Sequence, residues 1–93
     1  MRTYEFTVIL RSEEEAAAQG KELVKQELSR ANTAITKEED LGVRVLAYPI
    51  KKEEKGRYLY FEMEADPSVI ADLEKNCRLM NPVLKFLFVR KDT

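Results

Sequence analysis

At 93 residues, with 44 % apolar and 35 % charged side chains, the chain has material for one hydrophobic core, too little for two domains and too apolar for a disordered polymer. A net charge of −1 excludes a protein that coats nucleic acid by bulk electrostatics, a role filled by strongly basic chains. The single cysteine, Cys77, leaves no internal disulfide, and no run approaches the roughly 18 consecutive apolar residues of a membrane span. Arg2 and Glu5 fall where a signal peptide would carry its apolar run, so a cytosolic chain is expected.

From Arg2 to Arg11 the residues alternate, with Tyr4, Phe6, Val8 and Leu10 on one side and Glu5, Thr7 and Ile9 on the other, the period of a half-buried strand. Ser12 followed by Glu13, Glu14 and Glu15 reads as a capping box with an acidic first turn, which predicts a helix start. Ala16, Gly20, Leu23, Val24, Leu28 and Ala31 recur at spacings of three and four, so the helix should run to about Ala31 with this stripe on a sheet. Glu22, Lys25 and Gln26 then face water.

The pattern next turns extended through Thr33 to Thr36, with Glu38 to Asp40 expected as a solvated bend and Val43 to Ile50 as a strand. Pro49 cannot donate to a ladder, which predicts a sheet edge. The polar run Lys51 to Gly56 reads as a hairpin turn, and Arg57 to Ala65 as a strand with Leu59, Phe61 and Met63 inside and Tyr58, Tyr60, Glu62 and Glu64 outside. Asp66 and Pro67 start a second helix that buries Val69, Ile70, Leu73 and Cys77 and leaves Asp72, Glu74, Lys75 and Arg78 in solvent. Asn81 and Pro82 end it, and Val83 to Arg90 is the last strand. There is no internal repeat and no linker.

Strand, helix, strand, strand, helix, strand is a pair of split βαβ units. Right-handed crossovers give an α+β, ferredoxin-like domain: a four-stranded antiparallel sheet in spatial order four, one, three, two, with both helices on one face. The other face stays open, and Tyr58 and Tyr60 lie on it as a candidate binding surface.

With no histidine, the commonest general base and neutral metal ligand are both missing. Cys77 sits at helical spacing from Leu73 and Ile70, which makes it a small core residue with nothing near to activate a thiolate. Gly20, Gly42 and Gly56 are too scattered for a phosphate loop. The chain is therefore expected to be no enzyme and to carry no cofactor or metal. Charge is distributed in blocks, and the basic ones, Arg44 to Arg57 and Lys85 to Lys91, are where a phosphate backbone would be met. The stretch Lys55 to Phe61 partly matches the aromatic strand of RNA-recognition motifs.

The run Leu41, Gly42, Val43, Arg44, Val45, Leu46, Ala47, Tyr48, Pro49, Ile50, then Lys52, Gly56 and Tyr58, resembles the signature of the bacterial small-subunit ribosomal protein S-six family. The opening Met1 to Glu5, the Glu64 and Ala65 that precede a helix, and the final Val89 and Arg90 fit it as well, so that the resemblance covers essentially the whole chain. It implies a ferredoxin-like structural constituent of the small ribosomal subunit, bound to the central domain of its RNA together with a partner, ribosomal protein S-eighteen. It also implies RNA contacts at Arg2, Tyr4, Arg90 and Lys91, to which the basic block and the sheet face add Lys85, Tyr58 and Tyr60. The edge strand of Val43, Arg44, Leu46, Ala47, Tyr48, Pro49 and Ile50 becomes the expected partner surface. Two departures stand out: Val45 replaces a second basic residue of many relatives, and the sequence given stops at Thr93, so nothing carries over from the longer tails of some members. The residues alone leave two competing classes, a regulatory small-molecule-binding domain of the same fold and a stand-alone single-stranded RNA module using Tyr58 and Tyr60.

Overall fold

The computed structural model describes residues 1–91; Asp92 and Thr93, at the end of the second basic block, lie outside the described residues. Strand β1 (Arg2–Arg11) leads into helix α1 (Glu14–Arg30), strands β2 (Ala34–Ile50) and β3 (Glu53–Ala65), a short 3-10 turn (Pro67–Val69), helix α2 (Ile70–Arg78) and strand β4 (Val83–Arg90). The strands form one antiparallel sheet in the order β2-β3-β1-β4, the expected ferredoxin-like topology.

The period-two pattern of β1 decides which way the sheet faces. Tyr4, Phe6, Val8 and Leu10 are buried in one cluster with Leu59, Phe61, Met63 and Ala65 of β3, Val24 and Leu28 of α1, and Leu73 and Cys77 of α2. Both helices therefore press on the same face. Phe6 lies at the centre, its ring 4.2 Å from that of Phe88 and 5.8 Å from that of Phe61. Burial of such a side chain is worth about 1.5–3 kcal/mol each, which makes this layer the main source of stability. Across the helices, Asn76 Nδ2 donates to Glu27 Oε1 at 2.6 Å, and Arg30 pairs with the same carboxylate. The Arg30 hydrogen bond holds the Glu27 carboxyl below its ordinary pKa, against the opposing effect of burial.

Four local expectations need correction. The capping box does not form: Glu13, in extended backbone, is the N-cap and no side chain caps the helix, because the chain bends through Ser12 and Glu13 before α1 begins. Ala17, not Ala16, is the buried alanine of the stripe, three residues before Gly20 and in line with Val24 and Leu28. Glu38 to Asp40 lie inside β2, where cations neutralise them: Lys21 and Lys25 of α1 pair with Glu38, the neighbouring Lys37 with Glu39, and Arg57 of β3 with Asp40 at 3.0 Å. A register shift beside Asp40, relaxed by Gly42 at φ +83°, keeps the long strand paired. The turn is only Lys51 and Lys52, both in left-handed backbone (φ 49° and 68°), so Glu53 to Gly56 belong to β3.

The hairpin of β2 and β3 therefore outruns β1. Gly56 pairs with Arg11 at the end of β1, and the residues beyond it lean across toward β4: Arg11 pairs with Glu53 at 3.6 Å, and Lys51 Nζ donates to the carbonyl of Val83 at 3.2 Å. A side chain at Gly56 would collide with Ile9 Cγ2, so only glycine lets the hairpin lie this close.

Candidate nucleic-acid interface

The sheet face away from the helices carries Glu5, Thr7 and Ile9 of β1, Tyr58, Tyr60 and Glu62 of β3, and Leu87 and Val89 of β4, none of them fully buried. Tyr58 and Tyr60 stand here as expected, half-buried and already engaged. Tyr60 Oη donates to Glu5 Oε2 at 2.6 Å, and that bond, with burial behind it, raises the phenol above its ordinary pKa. The Arg44 guanidinium lies 5.6 Å from the centre of the Tyr58 ring. A base stacking on Tyr58 would displace Arg44 first.

Because β1 and β4 are neighbours, the two ends of the sequence meet at one end of the sheet. Tyr4 pairs with Arg90, and the Lys91 amide donates to the Thr3 carbonyl at 2.8 Å. Arg2 and Arg90 share the helix-side face by register and are exposed, while Lys91 reaches Glu62 Oε1 at 3.2 Å on the open side. That lysine holds the Glu62 carboxyl below its usual pKa. Tyr4 is a correction: it is 6 % exposed, and its even position in β1 turns its ring into the core, so it offers no surface to a ligand. Lys85 lies at the opposite end of β4, beside the hairpin, with its Nζ 3.3 Å from Tyr48 Oη.

Strand β2 is an edge, as the proline predicted, and its outer half is apolar and exposed: Val43, Val45 at 75 % and Tyr48 at 60 %, with Arg44, Ala47 and Pro49 also exposed and Ile50 half-buried. Leu46 is the second correction, 8 % exposed, its side chain folded over Gly56 and taken out of the surface. The exposure of Val45 adds a residue that the expected partner set omitted. Arg78 was also outside the expected set, and it lines a cleft with Lys85 and with Lys51 of the Arg44 to Arg57 basic block. No local spacing links those three.

Cys77 is buried, and burial together with the nearby Glu27 charge pushes its thiol up to about 12. At neutral pH it is a protonated core residue and no nucleophile. A thiol-specific chromogenic reagent at pH 8 should leave the native protein unlabelled and modify one thiol per chain in guanidinium chloride; rapid labelling of the native chain would show Cys77 to be accessible. Among the described residues no helix is long and apolar enough to cross a membrane.

A small α+β domain with an open, half-polar sheet face, an apolar edge strand and its cysteine locked in the core is a module of ferredoxin-like fold. Residues 3–90 match the family model of ribosomal protein S6, and the chain belongs to that family, whose members are structural constituents of the small subunit of the cytoplasmic ribosome. Among curated relatives, the small ribosomal subunit protein bS6 of Treponema pallidum is 38 % identical over the full length of both chains. That of Parabacteroides distasonis is 45 % identical, covering 99 % of this chain and 80 % of its own. The crystal structure of 30S ribosomal protein S6 from Thermotoga maritima superposes with a TM-score of 0.87 at 28 % identity, covering 97 % of this chain and 87 % of the other.

Proposed function

We propose that the chain binds the central domain of small-subunit ribosomal RNA cooperatively with ribosomal protein S-eighteen, through backbone and shape contacts, and stabilises the platform as it assembles. Arg2, Arg90 and Lys91 meet phosphates at one end of the sheet, Lys85 meets them at the other, and Tyr58 and Tyr60 border the contact. The β2 edge, through Val43, Arg44, Ala47, Tyr48, Pro49 and Ile50, receives the protein partner, since an exposed apolar edge pairs readily with another chain. The observation that supports this reading most is the β1–β4 pairing, which gathers basic residues from both ends of an S6-family sequence. A net charge of −1 is compatible with it because two proteins would share the electrostatic work.

The test is filter retention of central-domain RNA by the purified chain, with and without S-eighteen, across a salt series. Tight, salt-dependent retention is expected only with the partner present; no retention under either condition would overturn the proposal. Arg90→Ala should make the slope of log affinity against log salt shallower by about 0.9, the share of one phosphate contact. An unchanged slope removes Arg90 from the interface.

A further inference from the structure

A stack of phenylalanine rings runs across the helix side of the sheet and ends at its border. Phe61 of β3, Phe6 of β1 and Phe88 of β4 lie side by side in register. The rings of Phe61 and Phe6 are 5.8 Å apart at 23°, and those of Phe6 and Phe88 are 4.2 Å apart at 6°, nearly parallel. Phe6 and Phe61 are fully buried, whereas Phe88 is half-buried. Phe6 covers one face of the Phe88 ring, and because β4 is the last strand the other face points outward past the sheet edge. Cations stand on both sides of that ring along the same rim. The Arg78 guanidinium sits 5.8 Å from the centre of the Phe86 ring, two residues before Phe88 on the same face, and Arg90 follows two residues after it, about 7 Å along the strand. Glu74 is the one carboxylate lining the cleft beside Phe86, and with Arg2 at the Arg90 end the rim stays positive.

An aromatic ring with one face turned outward between two cations matches the chemistry of a nucleotide strand, in which flat bases alternate with phosphates. We propose that an unpaired nucleobase of the RNA stacks on the outer face of Phe88, extending the row of Phe61, Phe6 and Phe88 by one ring, while the RNA backbone runs along the rim past Arg78 and Arg90. A base inside a duplex is already stacked on its neighbours, so only an unpaired one can take this place. The tyrosines of the open face suit it less, since Arg44 lies over Tyr58 and Tyr60 Oη is bonded to Glu5. The inference rests on the RNA-binding reading above and deepens it by adding a base contact beside the Arg90 phosphate.

The experiment uses the full chain, S-eighteen and central-domain RNA, and compares wild type with F88L, which removes the ring, and F88Y, which keeps it. F88L should weaken RNA binding by about 5- to 150-fold, the loss of one stacked base, with the salt slope unchanged because no phosphate contact is removed. F88Y should bind as wild type does. Wild-type affinity in F88L overturns the inference, and so does an equal loss in F88Y, which would mark a packing role. Weakened binding of F88L to S-eighteen in the absence of RNA also overturns it, because a protein side chain would then cover the ring. If F88L does not fold at the assay temperature, F88W gives the readout: the chain has no tryptophan of its own, so a base stacked on the new ring should quench its fluorescence, and unchanged emission defeats the inference. A normal response of Arg90→Ala beside a silent F88L defeats this site alone, while wild type that fails to bind defeats the underlying reading.

Discussion

Phe6→Ala should lower the free energy of unfolding by about 3–5 kcal/mol, the usual cost of emptying an aromatic site in a core. The ring is fully buried on the central strand β1, stacked on Phe88 at an interplanar angle of 6° and flanked by Phe61 and Phe86, so three neighbours lose contacts at once. Domains of this kind are stable by roughly 5–15 kcal/mol, so the variant should sit near the edge of folding at room temperature. Urea titration followed by circular dichroism measures it, with Leu87→Ala as the control, since Leu87 is 59 % exposed on the open face and its truncation should change little. A loss below about 1 kcal/mol for Phe6→Ala would mean that the surrounding rings close over the gap, a core far softer than close packing allows.

Gly20→Ala is expected to destabilise by about 1–3 kcal/mol, although alanine is the better helix former by about 1 kcal/mol. The sign reverses because an added Cβ would stand 2.8 Å from Leu10 Cδ2 and 2.9 Å from Pro82 Cβ. Leu10 is fully buried and Pro82 is a rigid ring whose carbonyl accepts from the Arg11 amide at 2.9 Å, so neither neighbour can retreat without breaking β1 from the start of β4. The urea midpoint again decides: an unchanged or higher midpoint would show that α1 can lift from the sheet at no cost.

The fold was legible in the sequence wherever a local period carried it. Tyr4, Phe6, Val8 and Leu10 alternate as a strand must, and Leu73 and Cys77 recur as a helix must, so element order and topology follow from short-range signals. What was misread depends on partners far away in the chain. Glu38 to Asp40 look like a solvated bend until Lys21, Lys25 and Arg57 are placed beside them, and Lys51 and Lys52 adopt a left-handed turn that glycine or asparagine would ordinarily signal. The candidate site divides in the same way. Arg90 and Lys91 stand out as a terminal basic block, whereas Tyr4 and Leu46 differ from their exposed neighbours only through packing, and the Lys51, Arg78 and Lys85 cleft joins segments with no common motif.

The pairing of β1 with β4 also bears on how the chain comes off the ribosome that makes it. Residue 4 finds its partner at residue 90, so β1 emerges long before β4 and must wait for that strand before its second edge is covered. In that interval β1 can pair with β3 but leaves a row of unpaired amides and carbonyls on its other side, with the Phe6 ring lacking Phe88. Synthesis at about 5–20 residues per second makes this half-closed sheet a real species for a second or more, and its open edge is where a nascent chain of this kind is most exposed to mispairing.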